Sequence, residues 1–315
     1  MNGNSGLNGT LPPAWSSLAR LSSLSMDYNS FTGPLPPAWR GMAQLQSLAA
    51  NTNHLTGPLP PSWSTMTALA LLDLGYNLFT GPLPPTWSML KHLQQLNVIG
   101  NAVTGPLPPA WSTLRQRLAV LDLGSNALTG TLPPAWSVLS QLHGLFLGHN
   151  ALDGTLSPAW SSLSRLTWLS VDTNALNGTL PPVWGSLSHL GALLLDGNTF
   201  TGTLPPSWSG MAGLATLGLS GNGLAGTLPP AWTSMRLLST LYLFSNPRLC
   251  GAVPAGALTS AVAGCCGYTV TQGTQLGQAC PLHPSPGRPC GGVLGVHGDP
   301  GQAAGPGMRT APVPR

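Results

Sequence analysis

The sequence predicts an α/β solenoid: a right-handed superhelix with a parallel concave β-sheet and short 3-10 or helical turns on the convex side. Three observations predict it. Asparagines recur through the 315-residue chain at Asn29, Asn53, Asn77, Asn101, Asn126, Asn150, Asn174, Asn198, Asn222 and Asn246, every 24 residues with one step of 25. Each unit reads L-x-x-L-x-L-x-x-N-x-[LFV]-x-G-x-L-x-P-x-W-x-x-[LM]. Many of the 40 Gly and 33 Pro fall at fixed phase in that unit. Scattered, they would imply low complexity; periodic, they punctuate a repeat fold. Length would suggest about two domains, but a solenoid grows by adding units.

The elements follow in order. L-x-x-L-x-L alternates apolar and variable residues, as a short strand with one buried face does. Ten such strands stacked in parallel at ~4.8 Å make a long concave sheet. The asparagine ends each strand, and its amide can satisfy turn backbone groups and link neighbouring coils. Glycine four residues on (Gly33, Gly57, Gly81) permits a turn that a Cβ would hinder. "PLP" or "TLP" then follows, closed by Pro-Pro because proline cannot donate to a ladder. "AWSSL" returns along the convex side. The one-residue insertion lies in "LRQRL", Leu114 to Leu118, so one outer turn must bulge there.

Ten tryptophans share one phase: Trp15, Trp39, Trp63, Trp87, Trp111, Trp136, Trp160, Trp184, Trp208 and Trp232. They could form an aromatic binding strip or a buried spine. The spine is favoured, because an apolar residue follows three positions on, as Leu139 follows Trp136, on the same face of a helical turn. The column also never varies, whereas a binding strip would. The eleventh, Trp168, breaks phase and falls on a variable strand position expected to face outward.

The stretches "LALLDLGYNLFTGPLPPTW" and "LAVLDLGSNALTGTLPPAW" resemble the plant-type leucine-rich repeat, and the resemblance runs from about Leu7 to Gly251. It is specific for fold and says less about function. It points to receptor-like proteins, receptor-kinase ectodomains and polygalacturonase-inhibiting proteins. Repeats with "LPPxWS" also resemble those of green-algal and protozoan surface proteins. In plant-type repeats the position that matches the tryptophan normally holds Leu or Ile pointing inward, which supports the spine. "PLP" or "TLP" resembles the short second strand of plant-type leucine-rich repeats. "NPRLCGAVP", Asn246 to Pro254, resembles the repeat that closes plant-type receptor arrays. Residues 1–250 are therefore read as the solenoid, its first repeat partial. Residues 251–280 are read as a cysteine-containing cap, and 281–315 as a disordered Pro/Gly-rich tail.

Solenoids usually bind ligands on the concave surface. The outward columns there carry Asp27, Asp73, Asp122, Asp172 and Asp196, while most basic residues fall in the convex segments. The inner face is expected to be mildly acidic and the outer face basic. "LDL" is a common strand sequence in this family, so Asp73 and Asp122 can be scaffold. The candidate site is Phe146, His149, Trp168 and Asp172, flanked by Asp122 and Asp196, from adjacent units. Exposed aromatics beside polar groups are typical interface anchors. The competing reading is that Phe146 and Trp168 merely cover each other.

Nothing points to catalysis, and no catalytic residue, cofactor or metal site is assigned. "GNGLAG" matches G-x-G-x-x-G only through repeat phase, and the helix and acid that a dinucleotide site needs are missing. No G-x-S-x-G, H-E-x-x-H or Walker A pattern occurs, and the seven His lack metal-ligand spacing. A net charge of +4, thinly scattered, argues against nucleic acid. No apolar run is long enough for a membrane span.

All five cysteines (Cys250, Cys265, Cys266, Cys280, Cys290) follow the last full repeat. Pairing among Cys250, Cys265, Cys266 and Cys280, with Cys290 left over in the tail, implies an oxidising compartment. Asn8 and Asn177 head Asn-Gly-Thr sequons. Met1-Asn2-Gly3-Asn4 leads into a repeat without a signal peptide, which predicts a fragment, a truncated gene model or a cytosolic chain. The expected function is non-catalytic recognition of a protein, peptide or glycan on the concave face, at the cell surface or outside the cell. The alternatives are an intracellular docking scaffold and a receptor-kinase ectodomain lacking its kinase.

Overall fold

The computed structural model describes residues 6–253, 274–278 and 280. Within them the chain winds through ten coils, numbered here by their phase asparagines, so that coil 1 carries Asn29 and coil 10 carries Asn246. Each coil contributes a three-residue strand, from Ser23–Ser25 in coil 1 to Thr240–Tyr242 in coil 10, to a ten-stranded parallel sheet in sequence order. Repeat positions face each other directly: Leu24 pairs with Leu48, and Leu145 with Leu169. The leucines of the L-x-x-L-x-L stretches fill a single apolar core.

The asparagines tie this core together. Asn53 is representative. Its Nδ2 donates to Ala50 O and Asn51 O in its own coil and to Met26 O in the coil before, at 3.0–3.2 Å. Its Oδ1 accepts from Phe31 N at 3.1 Å. Asn246 closes the series in the same way. One buried amide thereby satisfies four backbone groups that turning inward would otherwise strand. The residue before each asparagine adopts a left-handed conformation. Glycine takes that position at 100, 197 and 221, but Tyr28, Thr52, Tyr76, Ser125, His149, Thr173 and Ser245 hold φ of 51° to 56°. Such backbone costs roughly 1–3 kcal/mol per residue and persists where its surroundings fix it, as the amide network does here.

The second strand lies earlier than "PLP" predicts. It begins directly after the asparagine, as in Ser30–Pro34 and Leu78–Pro82, and Gly33 and Gly81 sit inside it at φ of +74°. The residue two after the asparagine is buried and those beside it face outward, so strand alternation starts there. Eight of these strands form a second parallel sheet whose pairing slips by two residues per coil: Thr32 opposes His54, and Thr56 opposes Leu78.

Pro-Pro starts the convex turn. The first proline is an extended N-cap, and the second occupies the first helical position, where its missing N–H removes nothing. A five-residue 3-10 helix follows, such as Pro37–Gly41. The tryptophans behind it are spine: the nine from Trp39 to Trp232 are fully buried, and Trp15 is partly buried. Neighbouring indoles stack, as Trp111 does on Trp136 at 6.3 Å and 3°. From Trp39 to Trp232 each indole N–H also donates to the preceding coil: Trp63 Nε1 reaches Pro36 O at 3.1 Å. Pro36 O accepts Trp39 N as well. Leucine could fill this space, but it could not make that bond.

The inserted residue bulges the turn of coil 4. Its helix runs six residues, Pro109–Leu114, and Arg115 continues it at φ −52°, ψ −22°. In coil 5 the corresponding cap, Leu139, leaves the helix at ψ 64°. At the C-terminal end, strand Arg248–Gly251 pairs with Gln275–Leu276, and Cys250 is disulfide-bonded to Cys280. Cys265, Cys266, Cys290 and the tail 281–315 lie outside the described residues.

Candidate functional site

Coils 6 and 7 place the candidate residues on the concave sheet. Gly144–Phe146 and Trp168–Ser170 are neighbouring strands, with Gly144 opposite Trp168. A Cβ on Gly144 would stand 2.8 Å from the Phe146 ring, so the bare glycine lets that ring lie flat toward Trp168. The two rings are tilted by 45° with centroids 6.0 Å apart, and both remain half-buried. They cover each other in part and still present an aromatic surface.

The polar half is built beside them. Asp172 accepts a hydrogen bond from Ser170 Oγ and faces His149 Nε2 at 3.5 Å. His149 is the left-handed residue of coil 6, and its side chain is 64% exposed. Gly148 provides the floor: a Cβ there would stand 2.6 Å from Asp172 Oδ1 and 2.8 Å from Ser170 Oγ. Phe146, His149, Trp168 and Asp172 thus form one patch on a glycine floor.

The flanking carboxylates are placed differently. Asp122 Oδ1 accepts Gly124 N at 3.0 Å, closing a turn in its own coil. Asp196 Oδ1 accepts Ser220 N at 2.8 Å, linking coils 8 and 9, and its other oxygen lies over Gly218. Burial raises both pKa values to about 6, only partly offset by those N–H donors. Burial also raises that of Asp73. These acids brace the sheet, whereas Asp172 faces the His149 ring.

Sequence reading passed over Ser170 and the glycines at 144, 148 and 218. The available signal was glycine in outward columns, where a repeat has no backbone need for it. It also passed over a second aromatic pair, Tyr242 and Phe244, edge to face at 6.4 Å on coil 10. The sequon asparagines Asn8 and Asn177 are exposed and sit on the two outermost strands of the second sheet. Among the described residues no group of three or more His, Cys, Asp or Glu could hold a metal ion, and no helix is long and apolar enough to cross a membrane.

The Leucine Rich Repeat family profile matches residues 20–42 and 117–139. No curated protein matches the chain. Among solved structures, the plant peptide hormone receptor RGFR1 in complex with RGF2 is 29% identical over 81% of this chain and 40% of its own, with a TM-score of 0.78. A TDR receptor is 34% identical over 78% and 42%, with a TM-score of 0.76. The chain therefore spans about two fifths of these receptors' length. A plant ice-binding protein is 25% identical over 80% of each chain, with a TM-score of 0.66. One fold thus serves different ligands. Its repeat unit, paired parallel sheets and convex 3-10 turns give this chain a leucine-rich repeat solenoid similar to those of these plant receptors.

Proposed function

We propose that the chain is a non-catalytic recognition module that binds an extended peptide or glycan across coils 6 and 7 of the concave sheet. The observation that carries this is the half-buried Phe146–Trp168 pair set beside the Asp172–His149 pair on a glycine floor. The rings offer apolar area at low entropy cost, and the imidazole and carboxylate offer polar partners that orient a ligand. A peptide is favoured over a glycan because the neighbours above include a receptor solved with its peptide hormone. The test is selection of a displayed peptide library against the native chain, with each selected peptide re-measured on Trp168→Ala. Peptides losing about tenfold or more in affinity support the site. Peptides that bind both proteins equally overturn it.

The Cys250–Cys280 bond favours an oxidising, extracellular setting over an intracellular scaffold. Alkylation of the natively expressed protein without reductant, read by mass spectrometry, tests this. Protected Cys250 and Cys280 support the extracellular reading, and alkylated thiols at both support the scaffold.

A further inference from the structure

We propose that the rim where the convex turns of coils 3 and 4 feed the concave strands binds a linear polysaccharide bearing carboxylate or sulfate groups. The proposal is independent of the concave patch, which lies on a different part of the coil.

The rim is cationic by construction. Most coils place two exposed or half-buried residues between the convex turn and the next strand, such as Lys91-His92 or Ser140-Gln141. The 25-residue step places three, and they are Arg115-Gln116-Arg117, all exposed. Arg165 takes the same rim position two coils further on and donates to Gln141 Oε1 at 2.5 Å. At ~4.8 Å per coil, Lys91 to Arg165 spans three steps, about 15 Å along the solenoid axis. The charge is uncompensated. The sequence has no Glu, and among the described residues no Asp lies within ion-pair distance of Lys91, Arg115, Arg117 or Arg165.

The same rim is hollowed. A cleft of about 310 Å³ is lined by Lys91, Thr113, Arg115 and Gln116. A second, of about 300 Å³, is lined by Gln46, Ala68, Ala70, His92 and Gln94. The two adjoin through the consecutive residues Lys91 and His92. The floor of the first is fixed: Ser88 O accepts both Lys91 Nζ and Thr113 Oγ1 at 2.8 Å.

The chemistry selects the ligand class. Guanidinium forks pair bidentately with carboxylate and sulfate-like oxyanions. Glutamine, threonine and histidine in polar clefts offer donors and acceptors suited to sugar hydroxyls. Neither cleft holds an aromatic or large aliphatic side chain. A protein partner would use such anchors, and single-stranded nucleic acid would use aromatic platforms. A row of cations on coils 3, 4 and 6, bridged at coil 5 by Gln141, fits a linear polymer that carries several anions.

The test is salt elution of the full chain from immobilised heparin, which presents sulfate, and alginate, which presents carboxylate. The native protein is compared with Arg115→Ser/Arg117→Ser, with Lys91→Ser and with Trp168→Ala, each checked by circular dichroism. The double variant is expected to bind about tenfold more weakly, with elution at lower salt, and Trp168→Ala is expected to elute as native. If the double variant fails to fold, Lys91→Ser carries the comparison. Retention on heparin alone identifies sulfate, and retention on alginate alone identifies carboxylate. Unchanged elution of the folded rim variants, no retention on either polymer at about 0.15 M salt, or tighter retention on DNA than on both overturns the proposal.

Discussion

Trp160 and Trp168 lie eight residues apart in the chain and differ in almost everything else. Trp160 is fully buried and donates its indole N–H to Pro133 O at 3.0 Å. Trp168 stands on the concave sheet, half-buried, with Phe146 as its tilted neighbour. The spine tryptophan serves the coil stack and so recurs in coils 1 to 9. The concave one serves nothing the repeat needs, and it appears once. Here the invariant column lies in the interior, and the tryptophan that departs from it lies on the concave surface.

Substitutions can break that comparison, and the largest effect belongs to the spine. Trp111→Ala should lower unfolding free energy by about 3–5 kcal/mol in urea denaturation, because it opens a cavity between stacked indoles. Trp111→Phe keeps much of the volume and removes one of the two N–H donors to Pro84 O, which Trp111 Nε1 reaches at 3.1 Å and Trp87 N also reaches, so about 0.5–1.5 kcal/mol should still be lost. A loss as small as a surface substitution gives would show that the spine is not what holds the coils.

Gly185→Ala should come next. A Cβ there would stand 2.1 Å from Ser207 O, a backbone atom of the next convex turn, so the two turns must part. A loss of about 1–3 kcal/mol is expected, typical of overpacking, and a variant as stable as native would show that the turns move freely.

The braced acids sharpen the contrast between scaffold and surface through pH. Asp122 and Asp196 titrate near pH 6 in the fold, against about 3.9 in the unfolded chain. The folded state therefore holds more protons between those values. Their contribution to stability is greatest below about pH 4, falls as pH rises to about 6, and is flat above. Melting temperatures of native protein and Asp122→Asn across that window check this, since the variant should lose part of the slope. Asn retains an oxygen for Gly124 N, so a general loss of stability is not expected.

Trp168→Ala should have the smallest effect on stability, about 1 kcal/mol, from one tilted aromatic pair on an open face. Its ligand affinity should nevertheless change most. A loss matching that of Trp111→Ala would place Trp168 in the scaffold.

Much of this could be read along the chain, because repetition averages away local ambiguity. The buried columns, the asparagine links and the bulge at Leu114 to Leu118 all follow from positions that recur or fail to recur. The second strand was misplaced because Gly33 reads as a turn residue, although a positive φ can sit inside a short strand when the next coil's asparagine receives its backbone. The candidate site was legible as a set of columns but not as contacts. Outward columns predicted that Phe146, His149, Trp168 and Asp172 would be near each other. They did not say that Asp122 and Asp196 would turn back to backbone N–H groups.

The sequence alone determined the coil: its length, its buried residues and the phase of its turns, because each unit meets only copies of itself and one period describes every neighbour. Only the tertiary structure decided what each coil shows to solvent. Whether a carboxylate braces or faces outward, and whether an inserted residue closes a turn or opens a cleft, depends on the side chains of the adjoining coils. Those lie 24 or 25 residues away, at the positions where the repeat is free to vary.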